Sequence, residues 1–123
     1  MKVRVTLDRA AIQRITDAAK KAAVDTMDAL RTDLMNESKT MPYDTGDMQN
    51  NQTFVEQTET GAVLITGSPQ ARRLYYHPEY NFKQSEGAEG TRGAYWLDTY
   101  IFGDKWDFVN NTFAELFKEE AGL

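Results

Sequence analysis

The sequence predicts an α+β fold, with a long N-terminal helix and a C-terminal helix packed on a small, mainly antiparallel sheet. Three observations lead there. Ile12, Ile15, Ala19, Ala22, Leu30 and Leu34 fall on one helical stripe behind Asp8, a residue suited to capping a helix start. Thr53 to Gln57 and Ala62 to Thr66 are β-prone runs separated by "TETG", in which Gly61 can supply a positive φ. Trp106, Val109, Phe113 and Leu116 or Phe117 then recur at three-to-four spacing behind Asp104.

A chain of 123 residues fits one domain with a single modest core. In chain order, Val3, Val5 and Leu7 alternate with Lys2, Arg4 and Thr6, the period-two pattern of a strand over 2–7. The helix after Asp8 is expected over 9–38, roughly 45 Å at 1.5 Å per residue, more than so small a core covers from one side. Its alanine-rich middle, "TDAAKKAAVDTMDAL", permits close approach of another element. A core helix is the leading reading of that stretch, ahead of a helix packed between subunits. Pro42 ends the helix, because it lacks an amide hydrogen and pushes Met41 out of the α region, and 41–50 follows as a turn.

The β-region is expected over 53–77. It holds the hairpin, a break at "GSPQ", and "ARRLYYH" as a third strand or a short irregular segment. Residues 78–93, polar and punctuated by Gly87, Gly90 and Gly93, read as an exposed loop whose 87–93 portion is ordered by a neighbour. "AYWLDTYIF" reads as another strand or extended segment, and the last helix spans 104–120, ending before Gly122.

Composition narrows the function classes. Fourteen Lys and Arg against nineteen Asp and Glu give a formal charge of −5, which disfavours a dedicated or sequence-specific nucleic-acid binder. There are no cysteines, so no disulfide framework, Cys-based zinc site or thiol nucleophile is available, and a reducing, intracellular place of synthesis is expected. Neither an export signal nor a membrane span is expected from the apolar pattern.

Asp44-Thr45-Gly46 offers two readings. It could be the catalytic turn of a small homodimeric aspartic protease of the retroviral kind, and "YIFG" at 100–103 loosely fits such a chain. Against this, the preceding "NESKTMPY" is no buried apolar strand, Asp47 follows the glycine, and a long helix occupies the region where an all-β fold needs strands. The structural reading is stronger: Pro42, Asp44, Thr45 and Gly46 form a turn through fixed φ, side-chain-to-backbone bonding and free φ. His77 is the only histidine and has no metal-ligand companions in the pattern; the glycines of 87–93 open no phosphate-cradling helix. No nucleophile, base and orienter combine, so neither an enzyme nor a cofactor or metal is expected.

What exceeds background is aromatic content. Tyr75, Tyr76, Tyr80, Phe82, Tyr95, Trp96 and Tyr100 are more large rings than a thin domain buries, and Tyr, Trp and Arg anchor protein interfaces. Arg72, Arg73, Tyr75, Tyr76, Tyr80 and Phe82 are therefore the candidate subunit interface. The alanine-rich helix face is the expected receiving surface on the next subunit.

The ordered combination of the long first helix, "MPYDTGDMQNNQTFVE", "ARRLYYHPEYNF" and "GAYWLDTYIFGDKWDFVNNTFAELFKE" resembles the small minor capsid proteins of tailed double-stranded DNA bacteriophages, related to neck or tail-completion proteins. The resemblance covers most of the chain. It implies an α+β subunit of the head–tail connector, a homo-oligomeric ring that contacts other connector or tail proteins. DNA would pass through its lumen, with no membrane and no catalytic residues involved. It also implies a virion location, with the host cytoplasm as the place of assembly, and makes Asp44-Thr45-Gly46 a junction between helix and sheet.

Overall fold

The computed structural model describes residues 1–43, 47–84 and 91–123. Helix α1 (Arg9–Asp33) runs directly into a π turn (Leu34–Ser38), and short helix α2 (Asp47–Asn50) leads to a hairpin of β1 (Thr53–Gln57) and β2 (Ala62–Thr66). Three further helices follow: α3 (Ala71–Tyr75), α4 (Asp98–Ile101) and α5 (Phe108–Ala121). A long N-terminal helix, a C-terminal helix and a small antiparallel sheet are the α+β arrangement that the periodicities predict.

Asp8 caps α1 as expected, its Oδ1 accepting from the Ala11 amide at 3.0 Å. The buried stripe runs Ala18, Ala22, Thr26, Leu30 and Leu34, a strict four-residue spacing. Ile12 and Ile15 are exposed, so the first two turns of α1 overhang the core. α5 lies antiparallel along α1: Phe108 and Val109 pack on the cluster that contains Leu30, while Glu120 reaches Lys21 at 3.1 Å. The small side chains of Ala18 and Ala22 let α5 approach closely. Gly122, at φ 72°, closes α5 in the left-handed conformation that an absent Cβ permits.

The hairpin sits on α1, held by Arg31, whose Nε donates to the Thr53 carbonyl at 2.7 Å and whose guanidinium also donates to the Asn50 carbonyl at 3.1 Å. Its register pairs Thr53 with Thr66, Val55 with Leu64 and Gln57 with Ala62. The core gathers where α1 meets the π turn: Leu30, Leu34, Met41, Met48, Ala71, Trp96 and Tyr100 form one cluster, with Leu64, Leu74, Tyr75 and Leu97 packed against it. Each large apolar side chain buried there contributes about 1.5–3 kcal/mol.

Several expectations need correction. The expected 41–50 turn ends in helix, Asp47–Asn50 forming α2. Residues 2–7 form no strand: none of the described residues pairs with them, and Val3, Val5 and Leu7 are 90%, 84% and 69% exposed. "ARRLYYH" is not β; it folds as α3, because Leu74 and Tyr75 face the core from one helical turn while Arg72 and Arg73 take the solvent side. "AYWLDTYIF" gives turns and α4 rather than a strand, so that Trp96 and Tyr100, four apart, enter the same core. The last helix begins at Phe108 rather than 104, Asp107 occupying the cap position, and residues 104–107 are turn.

The 78–93 loop is only partly exposed. Arg92 is buried, Gly93 donates its amide to the Thr40 carbonyl at 3.0 Å, and the Thr91 hydroxyl donates to the Lys39 carbonyl at 3.0 Å. The end of this loop is thus docked on its own subunit rather than waiting for a neighbour. Asp44, Thr45 and Gly46, and Gly87 and Gly90, lie outside the described residues.

Candidate functional site

Two constellations stand out, one closed and polar, the other open and aromatic. In the closed one, the π turn widens the helix so that Ser38 comes beside Asp33, five residues earlier, with Ser38 Oγ donating to Asp33 Oδ2 at 3.5 Å. From the other end of the chain, Tyr100 Oη and Lys105 Nζ each donate to the same Asp33 oxygen at 2.6 Å. Ser38 Oγ lies 2.6 Å from Tyr100 Oη and 3.0 Å from Lys105 Nζ. Burial alone would raise the Asp33 carboxyl; hydrogen bonds from Lys105, Tyr100 and Ser38 together hold it below its usual range.

A serine beside a lysine and a tyrosine has the residue types of a nucleophile with a base. The geometry argues against that use. The lysine that would serve as base is engaged elsewhere, its Nζ lying 2.6 Å from Asp33 Oδ2 in an ion pair. Burial and the Asp33 hydrogen bond push the Tyr100 phenol up, which keeps it a donor. The cluster pins the π turn to the segment 100–105. Sequence spacing could not reveal it, because its two halves, Asp33 with Ser38 and Tyr100 with Lys105, are more than sixty residues apart.

The open constellation is built on α3. Tyr75 packs edge-on against Trp96 at 4.7 Å between ring centres and donates its hydroxyl to Asp98 Oδ1 at 3.0 Å. Burial first, then that carboxylate, pushes its phenol up to about 12. Tyr95 sits at φ 52°, a conformation that bulky residues rarely adopt, with its amide donating to the Tyr75 carbonyl at 3.1 Å. Its ring meets Tyr75 and Tyr76 edge-on at 5.6 and 6.2 Å. Between this aromatic flank and β2 lies a cleft of about 330 Å³, lined by Leu64 and Thr66, by Arg72, Tyr75 and Tyr76, and floored by Leu34, Trp96 and Leu97.

The predicted interface residues therefore divide. Tyr75 belongs half to the core. Tyr76 is 59% exposed, Tyr80 39%, and Arg72 and Arg73 lie in solvent with no ion pair among the described residues. Tyr80 stacks on His77 at 4.7 Å, and Phe82 is partly buried beside Gly93. Tyr95, Ile101, Phe102 and Trp106 are further exposed large apolar side chains outside the predicted set.

The receiving surface expected on the alanine-rich helix face is not available. That face is covered by α5 of the same subunit, Ala22 being fully buried. The core reading of this helix is the one the packing supports.

Among the described residues no group of His, Asp and Glu could hold a metal ion, and no helix is long and apolar enough to cross a membrane. Neither models of protein families nor curated proteins nor solved structures gave a match to this chain.

Proposed function

We propose that this protein is a non-enzymatic structural subunit that assembles with copies of itself, as a component of the head–tail connector of a tailed double-stranded DNA phage. The observation that carries the self-assembly part is the open aromatic flank. Tyr76 stands in solvent at a mainly apolar cleft with the Tyr95 ring against it, and Tyr80, Ile101, Phe102 and Trp106 are exposed as well, the composition of an interface rather than of a finished surface. The phage part is supported by the ordered resemblance of the segments around Pro42, Arg72 to Phe82 and Gly93 to Glu119 to minor capsid and neck proteins. An acidic subunit, at a formal −5, suits a lumen through which DNA slides without being held.

The aspartic-protease reading of Asp44-Thr45-Gly46 finds no support in the architecture. Such a dimer needs an all-β subunit that presents its aspartate from a sheet, whereas the described residues of this chain form one two-stranded hairpin and otherwise helices, turns and loops. "YIFG" has another cause as well. A Cβ on Gly103 would lie 2.9 Å from Thr99 Cα, so the glycine serves a close backbone approach.

Negative-stain microscopy of the purified protein tests assembly: closed rings are the expected result, and isolated particles at every concentration contradict it. Immunogold labelling of virions tests location, with label expected at the head–tail junction; label confined to the head shell or to the tail tip would remove the connector assignment.

A further inference from the structure

We infer that subunits join by strand addition: residues 2–7 of one copy pair with the free edge of β2 in another copy and lay Val3, Val5 and Leu7 into the aromatic cleft beside it. The inference rests on the self-assembly part of the proposed function and not on its phage part.

The acceptor edge follows from the hydrogen-bond pattern of the hairpin. Gly67 donates its amide to the Gln52 carbonyl at 2.7 Å, and Thr58 donates to the Gly61 carbonyl at 2.9 Å. In an antiparallel ladder, bonded pairs alternate with non-bonded ones, so Phe54 with Ile65 and Glu56 with Val63 bond inward. Ala62, Leu64 and Thr66 therefore turn their amides and carbonyls outward, away from β1. No backbone hydrogen bond from the rest of the described chain meets them there. The opposite edge, along β1, is already engaged, because Arg31 donates to the outward Thr53 carbonyl. An isolated two-stranded ribbon is marginal and its open edge a template for another strand.

The donor has matching features. Residues 2–7 alternate apolar and polar side chains, span a length comparable to that of Ala62–Thr66, and stand exposed with no partner in their own subunit. On β2 the side chains of Leu64 and Thr66 belong to the face that lines the cleft. A strand added at this edge puts every second residue on that same face. Val3, Val5 and Leu7 would cover Leu64, Trp96 and Tyr76, while Lys2 and Arg4 lie over the other face, whose charged residue is Glu56. Arm and edge are unlike patches, which is what a ring-forming contact requires.

The test uses the full chain. Sedimentation of the parent should show oligomers, and Val3→Asp/Val5→Asp should weaken association at least about tenfold, since two carboxylates lose more hydration among Leu34, Leu64, Trp96 and Leu97 than the single cleft cation, Arg72, returns. Its melting curve should stay that of the parent subunit, because both positions are exposed. A second measurement exploits the absence of cysteines. Chains carrying Val5→Cys, mixed with chains of different mass carrying Tyr76→Cys, should yield a heterodimer on treatment with a short bis-maleimide. A monomeric parent, unchanged association of the Asp variant, unfolding of that variant, or no mixed heterodimer would each overturn the inference. If the arm drives association but labelling finds no chain in virions, the phage assignment fails and strand addition stands. If the chain sits in the neck and the Asp variant assembles normally, the reverse holds.

Discussion

Tyr75 and Tyr76 are neighbours in sequence and belong to different worlds. Tyr75 points into the end of the molecule where α1, the π turn and the segment 96–105 interlock; its hydroxyl is taken by Asp98 and its ring by Trp96. Tyr76, one residue on, faces solvent at the mouth of the cleft beside β2. No buried side-chain polar atom of the described residues lacks a partner, whereas beside Tyr76 the outward backbone groups of Leu64 and Thr66 meet no backbone hydrogen bond from the rest of the described chain. The closed end is where the subunit holds itself together. The open flank is where it has something left to bury. Aromatic density in the sequence is therefore a sum of two quantities, and only the three-dimensional partition separates fold from function.

The contrast breaks most visibly at Trp96, 3% exposed in the core cluster. Trp96→Ala should cost about 3–5 kcal/mol, enough to unfold a small domain, as read by denaturant titration. Survival of a parent-like melt would mean that the closed end is not the stabilising one. Next comes Gly103→Ala. Its Cβ would press on the Thr99 backbone, and the loss should be about 1–3 kcal/mol in the same titration.

Tyr100→Phe keeps the ring but removes the donor to Asp33, and should lower stability by about 1–2 kcal/mol. The same cluster predicts an acid response. Because the folded Asp33 carboxyl is held below its ordinary value near 3.8, its contribution is present above that pH and is lost as pH falls through the folded value. Asp33→Asn should therefore flatten the melting temperature against pH in that acidic window, and an unchanged acid slope would dismiss the carboxylate as the cause.

The smallest effect on folding is expected at the open flank. Tyr76→Ala with Tyr80→Ala should change subunit stability by no more than about 0.5 kcal/mol per site, yet reduce oligomer formation measured by sedimentation. Loss of folding in this variant would move both rings to the core side of the comparison.

Much of the architecture was legible in residues alone, for local reasons. Asp8 and Gly122 bound their helices because capping chemistry is decided within one turn, and the β-prone runs around "TETG" define the hairpin, although Gly61 does not take the positive φ expected of it. The failures are non-local. The alternation of Val3, Val5 and Leu7 is a genuine strand pattern that finds no partner within the subunit, and sequence cannot say whether one exists. "ARRLYYH" and "AYWLDTYIF" have β-prone residues, but packing on Leu34 and Leu30 overrides propensity and coils them. Tyr76 and Tyr80 were identifiable as interface candidates by residue type. The cleft itself, the covering of the alanine face by α5 and the Asp33–Ser38–Tyr100–Lys105 cluster depend on chain closure across sixty residues or more, which no local pattern encodes.

The central claim is that the subunit is closed at one end and completed by another copy at the other. Amide hydrogen exchange, compared between dilute and concentrated protein, tests it most directly. The account predicts that the amides of Ala62, Leu64 and Thr66 and those of residues 2–7 slow together as concentration rises, while the amides of α1 near Leu30 keep their rates. Exchange at Ala62, Leu64 and Thr66 that stays fast at every concentration, in protein that nevertheless assembles, would contradict it.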